Sequence, residues 1–303
     1  MVVEVREARP ADAAAINAVV MACEQQGGGE MIDDRERHRL ERFARGDRPE
    51  HWHCFLGTFD GEVVGLGTVA RPIDPATDLV AELLVDPHAR RRGIATALLR
   101  SMTAAAEKTD ARRIIVWGRH ANPGTYAFAA TASFRWLRTL AVLGRPLLGI
   151  EPTPVPDGFV IRPLQDSDDE PLLARILGEA FGDTADEEWV PETIAERRRR
   201  SWYDAADVLI AADATGEVVG VHWTRRRTET MGEVHILGLV PSAHGRGLGR
   251  SLLNAGLVHL KSRGSEHVIL WADDANEPAI HLYESGEFSV EYEDVAFGRR
   301  LNV

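Results

Sequence analysis

Cysteine is nearly absent: Cys23 and Cys54 are the only two in 303 residues, with no Cys-x-x-Cys spacing. That argues against a disulfide framework and against a cysteine zinc site, and it suits a reducing cytoplasm. No apolar run approaches the ~20 residues a membrane span requires, and the N-terminus has no secretion signal, so a cytoplasmic chain with no membrane partner is expected. Basic charge is in deficit. Thirty-five Lys and Arg face 47 Asp and Glu, a net charge of −12, which argues against a nucleic-acid partner. The arginines are nevertheless clustered, which leaves room for a local patch that holds an anionic cofactor. His51, His53 and Cys54 look metal-like, but strand alternation puts Cys54 on the opposite face, and a metal needs more ligands; none is expected. What remains, 44% apolar and 27% charged, is a soluble globular composition long enough for about two domains.

The chain contains one element written twice. Val85-Asp86-Pro87-His88-Ala89-Arg90-Arg91-Arg92-Gly93-Ile94-Ala95 returns as Leu239-Val240-Pro241-Ser242-Ala243-His244-Gly245-Arg246-Gly247-Leu248-Gly249 (241 − 87 = 154). The same offset carries Leu98 to Leu252, Ile115 to Ile269, Trp117 to Trp271, Asn122 to Asn276 and Phe134 to Phe288. A period this long means duplicated domains, not a solenoid.

Each half opens on a short strand (Val3–Arg6; Val160–Arg162). A polar turn follows (Arg9–Asp12; Gln165–Asp168), then an apolar helix, a charged helix, and a hairpin through Gly61-Glu62 or Gly216-Glu217. The strand feeding the repeated bend comes next, then the bend helix, a strand (Ile114–Trp117; Val268–Trp271), one more helix and a final strand. Between the halves, Pro152, Pro154 and Pro156 alternate through Gly149–Gly158, the pattern of an extended, hydrogen-bond-poor linker. The expectation is an α/β fold of the α+β kind with a mixed sheet, in two domains, 1–148 and 158–303.

Each bend puts bare backbone N–H groups at a helix N-terminus, which is a ready anion site. Gly245, Gly247 and Gly249 allow close backbone approach, and Arg246 and Arg250 can add charge to a phosphate. A dinucleotide loop would need glycine at Arg250, and a Walker loop would need Gly-Lys-Ser/Thr; neither fits. Glu233 opens the apolar strand Glu233–Leu239, where a carboxylate is costly unless it has a role; an exposed strand end is the alternative. At the 154 offset it falls on Leu79, while Glu82, three positions on, points to the other face. Tyr283 falls on Ala129, and it is either an acid or a half-buried packing aromatic. Both groups occur in the second half only. His235 could assist Glu233 or be a satisfied strand histidine. Arg197 to Arg200 read as a solvated helix face.

Arg90-x-x-Gly93-x-Ala95 and His244-x-x-Gly247-x-Gly249 resemble the pyrophosphate loop of the GNAT acetyltransferases, with His244 where the family has Arg or Gln. Glu151–Gly158, Ala195-Glu196-Arg197-Arg198 with Trp202, His222-Trp223-Thr224, Gly232–Gly249 and Asn276–Phe288 resemble the tandem mycothiol synthase subgroup. The resemblance implies acetyl transfer from acetyl-CoA to the cysteinyl amine of a cysteinyl-glucosaminyl-inositol. It makes Glu233 the base, through water, and Tyr283 the acid that protonates the CoA thiolate. It assigns acetyl-CoA contacts to Leu237, Gly238, Leu239, His244, Gly245, Arg246, Gly247, Leu248, Gly249 and Arg250. Asn276, Glu277, Pro278, Ala279, Ile280 and His281 join them. In the first half Leu83, Leu84, Val85, Arg91, Arg92, Gly93, Ile94, Ala95 and Thr96 would hold a second acetyl-CoA that is not turned over. Arg225, Glu233 and Trp271 are the acceptor contacts, with Arg225 where the subgroup has lysine and Trp271 where it has tyrosine. Further acidic acceptor contacts fall among Asp33, Asp34 and Glu36, and near Asp186 and Glu187. A monomer acting on a small-molecule amine is expected. The alternatives are another small amine acceptor, or an acyl-CoA-binding sensor that turns nothing over.

Overall fold

A computed structural model of the chain describes residues 2–27, 29–71, 78–165, 170–182 and 189–301. Chain contacts divide it into two units, residues 1–139 with 293–303, and residues 140–292.

The first unit runs β1 (Val3–Glu7), α1 (Ala13–Gly27), α2 (Asp34–Ala44), β2 (Trp52–Phe59), β3 (Glu62–Ala70), β4 (Asp78–Val85), α3 (Ile94–Ala106), β5 (Arg113–Gly118) and α4 (Pro123–Thr131). In α1 the residues Ile16, Val19, Val20 and Cys23 are buried, the i, i+3, i+4, i+7 stripe of a helix lying on a core. Asp33 starts α2 by accepting a hydrogen bond from the Glu36 backbone N–H at 2.7 Å. The strands lie in the order β1-β2-β3-β4-β5, all neighbours antiparallel except β4 and β5. One apolar cluster under α1 and α2 covers one face, and a second, under α3, covers the other.

The second unit repeats this plan with β7 (Phe159–Pro163), α5 (Glu170–Phe181), α6 (Pro191–Arg198), β8 (Val208–Asp213), β9 (Val218–Arg226), β10 (Met231–Leu239), α7 (Leu248–Ser262), β11 (His267–Asp273) and α8 (Glu277–Ser285). The polar turn expected at 165–168 lies, beyond Gln165, outside the described residues.

The units do not end where the repeat ends. Val295–Arg300 of β12 (Ser289–Arg300) pair antiparallel with β5 inside the first unit. Leu140–Pro146 of β6 (Arg135–Pro146) pair antiparallel with β11 inside the second. The last strand of each sequence half therefore completes the sheet of the other unit, which the division 1–148 and 158–303 does not anticipate. The linker is extended, as its prolines dictate, but it is not poor in hydrogen bonds. Asn254 takes the Thr153 N–H (2.9 Å) and gives to the Glu151 carbonyl (3.1 Å), Ser251 gives to the Pro154 carbonyl (3.0 Å), and Lys261 to the Ile150 carbonyl (2.8 Å). Side chains of α7 serve the carbonyls that prolines leave without a ladder.

Two departures from regular pairing make the site. First, β10 pairs in parallel with β11 only through Met231, Gly232 and Glu233, so the β10 edge beyond them carries free backbone groups; β4 and β5 likewise part after Ala81. Second, the β9–β10 register shifts between Val234 and Ile236, a bulge at His235 that β3–β4 lacks. Aligned on the parallel pair, Glu233 faces Ile269 as Val80 faces Ile115. Leu237 opposite His222 then matches Leu83 opposite Gly67, so His235 is an inserted residue. The counterpart of Glu233 is therefore Val80, not Leu79. Glu82 lies on the face equivalent to that of Glu233 and not on the opposite one. An ungapped offset cannot see a one-residue bulge, which turns the strand over.

Candidate active site

The bends are built as the glycines predict. Gly245 and Gly247 have φ of 72° and 79°, and Gly93 and Arg91 have φ of 85° and 65°. Gly247 and Gly93 are the N-caps of α7 and α3, and neither helix start receives a side-chain cap. The first-turn N–H groups, with the positive end of the helix dipole behind them, are thus left for a ligand. A side chain at Gly245 would meet nothing within 4 Å, so close approach from outside is open there. Arg246 and Arg250 are exposed beside it, as are Arg91 and Arg92 in the first unit, while Leu248 and Ile94 are buried anchors of their helices. Gly249, Ala95 and Thr96 follow on the first turn. The first position of each loop has a mechanical role. His244 Nε2 lies 3.1 Å from the Leu239 carbonyl oxygen, and Arg90 Nε lies 3.3 Å from that of Val85. Both side chains tie the loop to the end of its strand, so histidine replaces arginine there without loss of the contact.

Leu237, Gly238 and Leu239, and Leu83, Leu84 and Val85, form the strand ends running into the bends, past the point where the parallel pairing stops. A strand edge with free N–H and C=O groups takes an extended amide-bearing ligand by adding it as a further strand.

Glu233 is 4% exposed, and its carboxylate is fully engaged. Oε2 is 2.5 Å from Arg227 and 3.8 Å from Arg225, and Oε1 is 2.8 Å from His235 Nδ1. Burial alone would raise its pKa, but His235, Arg227 and Arg225 outweigh burial and hold it down at about 2. The reason is register: Glu233 sits opposite Arg225 on β9, and Arg227, two residues on, shares that face. Aromatic rings wall the group. Arg225 lies 4.5 Å over Trp202 and Arg227 4.9 Å over Trp271, while the His235 ring meets Trp202 at 5.1 Å and Trp223 at 6.0 Å. Arg227 was not legible as a site residue, although the run Arg225-Arg226-Arg227 beside a strand carboxylate is a signal for it.

Tyr283 sits near the end of α8, 8% exposed, against Phe288 with ring centroids 5.8 Å apart. Burial lifts its phenol to about 12, so it stays protonated at neutral pH. Asn276 caps α8 by accepting from the Ala279 N–H at 3.2 Å. Glu277, Pro278 and His281 are exposed, and Ala279 and Ile280 half-buried. Of the other acids, Asp33 is spent on its cap. Glu36 is buried, taking hydrogen bonds from Trp52 Nε1 (2.9 Å) and Arg39 (3.1 Å). Asp186 and Glu187 lie outside the described residues. The arginine run is less solvated than expected: Arg197 covers Trp189, Arg198 pairs with Glu170 and Arg200 with Glu196.

Residues 19–134 and 172–287 each match the model of the acetyltransferase (GNAT) family. The chain belongs to the GNAT acetyltransferase family. It is similar to the mycothiol acetyltransferase of Salinispora tropica, 35% identical over 85% of this chain and 84% of that one. It is also similar to that of Actinosynnema mirum, 32% identical over 95% and 96%. A tandem GNAT protein from the clavulanic acid biosynthesis pathway has the same fold, with a TM-score of 0.78 at 18% identity over 100% and 99% of the two chains. A GCN5-related N-acetyltransferase from Sphaerobacter thermophilus gives 0.75 at 22% over 99% and 96%. The chain is an acyltransferase with two GNAT domains in tandem. Among its described residues no helix is long and apolar enough to cross a membrane.

Proposed function

We propose that this GNAT acetyltransferase moves the acetyl group of acetyl-CoA to the cysteinyl amine of cysteinyl-glucosaminyl-inositol, giving mycothiol. Similarity to mycothiol acetyltransferases along most of the chain supports the acceptor. The observation that carries the chemistry is the buried Glu233 carboxylate, ringed by Arg225, Arg227 and His235 where β10 parts from β11.

The residues fit the cosubstrate. The uncapped N–H groups of Gly245 to Gly249 with Arg246 and Arg250 suit its pyrophosphate, and the free edge of Leu237, Gly238 and Leu239 suits its amide arm. Asn276 to His281 flank the same arm. An amine attacks a thioester only when it is neutral. Glu233 supplies the negative charge that draws the proton away, and Tyr283, protonated at neutral pH, hands its proton to the departing sulfur. Arg225 and Trp271 line the acceptor side. No step needs a metal. The first unit holds a second acetyl-CoA through Leu83–Val85 and Arg91–Thr96 but does not turn it over, since Val80 and Ala129 stand where Glu233 and Tyr283 do. The protein acts as a cytoplasmic monomer, and 1–148 and 158–303 are its duplicated units of descent.

The test is release of CoA thiol from acetyl-CoA over a panel of amines. Cysteinyl-glucosaminyl-inositol is expected to give the highest kcat/KM, and no release with it removes this acceptor. A second reading, another small amine, is favoured by one observation: Arg227 stacks on Trp271, so no hydroxyl is offered there. Its signature is a higher kcat/KM for a different amine of the panel.

A further inference from the structure

Glu233 is well placed to be an anion and poorly placed to take a proton itself. Both oxygens are engaged, by two guanidinium groups on one side and an imidazole on the other. A carboxylate held at about 2 is also a weak base toward an ammonium group. His235 is the complementary case. Its Nδ1 faces Glu233 Oε1 at 2.8 Å, while its Nε2 is buried and has no hydrogen-bond partner among the described residues. A buried ring nitrogen without a partner is a cost to the fold that a ligand would relieve. The backbone reinforces the point, since His235 is the residue that the bulge adds to β10 and that β4 lacks. Two residues on from Glu233, the imidazole lies on the same side of the strand, between Trp202 and Trp223.

We propose that His235 Nε2 is the atom that takes the proton from the acceptor's ammonium group, with Glu233 behind it fixing the Nδ1–H tautomer and stabilising the imidazolium that forms. The inference rests on the acetyl-transfer reading and deepens it. The ammonium gives one proton to Nε2. The free amine's lone pair then forms the C–N bond to the thioester carbonyl carbon, and the C–S bond breaks with its electron pair on sulfur. Tyr283 gives its proton to that sulfur and is restored by the second proton of the new amide nitrogen. The imidazolium proton leaves to water, so the net products are amide, CoA thiol and one proton. The charged and titratable groups around the imidazole are Glu233 on its own strand, Arg225 on β9 and Arg227 just past its end reaching the same carboxylate, and Tyr203 behind Trp223.

The experiment uses full-length protein, acetyl-CoA and cysteinyl-glucosaminyl-inositol, with kcat/KM followed against pH. His235→Asn keeps an N–H beside Glu233 and removes Nε2. The expected result is a loss of roughly a hundredfold or more, partial rescue by added imidazole, and a rate that rises with the free-amine fraction of the acceptor. Glu233→Gln keeps the imidazole but removes the anion behind it, and is expected to lower kcat/KM with no rescue by added imidazole. An unaltered melting temperature separates loss of the base from loss of the fold, and His235→Gln supplies a second variant if Asn fails to fold. Activity of either variant within threefold of wild type overturns the assignment to His235 and leaves acetyl transfer standing. Wild-type protein that releases no thiol with any amine overturns the acetyl-transfer reading itself.

Discussion

The two units carry the same strand, the same bend and the same uncapped helix start, yet they treat a buried carboxylate in opposite ways. Glu233 has three cationic or imidazole partners within 3.8 Å and is held at about 2. Glu82, on the equivalent face of β4, has Arg119 at 3.4 Å, and Arg119 is shared with Asp294 at 3.2 Å. Burial therefore wins at Glu82, helped by the nearby Asp33 and Glu36, and its pKa is pushed up to about 8. One carboxylate is a charge at neutral pH and the other is neutral. The difference lies in the number of cations per acid and in one inserted residue, not in the fold.

The sharpest way to break this comparison is to remove the charge from each side in turn. Glu233→Gln is expected to lower kcat/KM by about 10²–10⁴, the range for losing acid–base assistance, while acetyl-CoA still binds. Glu82→Gln is expected to leave turnover unchanged. Steady-state kinetics on both variants decide it, and a Glu82→Gln loss of comparable size would mean that the first unit also reacts. Tyr283→Phe comes next. It deletes one hydroxyl from a buried ring, so stability is expected to hold while kcat falls about tenfold to a hundredfold. A leaving group of lower pKa than CoA thiol is expected to recover part of that loss, which a packing role would not allow.

The repeat, the order of elements and both glycine bends were legible in the sequence, because glycine, proline and apolar periodicity act locally. Glu233 stood out as a carboxylate on an apolar strand, whereas Tyr283 was singled out over a packing role by the family resemblance alone. What was not legible depends on pairing between distant strands. Arg227 becomes a site residue only through the β9–β10 register. Glu82 was set on the wrong face because the bulge at His235 leaves no mark on an ungapped offset. The exchange of β6 and β12 was invisible for a related reason. Each strand carries the same apolar pattern whichever unit receives it, so composition cannot say which sheet it completes.

The bends allow a finer comparison. Gly247→Ala and Gly93→Ala place a Cβ on residues at φ of 79° and 85°, a left-handed conformation costing about 1–2 kcal/mol for an L side chain. Both are expected to lose that stability, since the backbone demand is the same. Only Gly247→Ala is expected to raise the KM for acetyl-CoA, by a few-fold. Equal effects on KM would mean that both loops serve turnover.

The smallest effect is the most specific to the buried acids. Glu82 keeps its proton in the folded protein up to about pH 8, while an unfolded glutamate loses it near 4.5. The folded state therefore binds the extra proton between those values, and its stability must fall as pH rises through that window. Glu233 works the other way. Its folded pKa lies below the unfolded one, so its contribution is present above about 4.5 and is lost as pH falls toward 2. Replacing Glu82 by glutamine removes the first dependence and keeps a neutral partner for Arg119. Thermal melts at pH 5.5 and 8.5 are thus expected to show Glu82→Gln gaining on wild type at the higher pH. If the difference were the same at both pH values, Glu82 would be ionised in the folded protein. The contrast between the two strands would then rest on the inserted histidine alone.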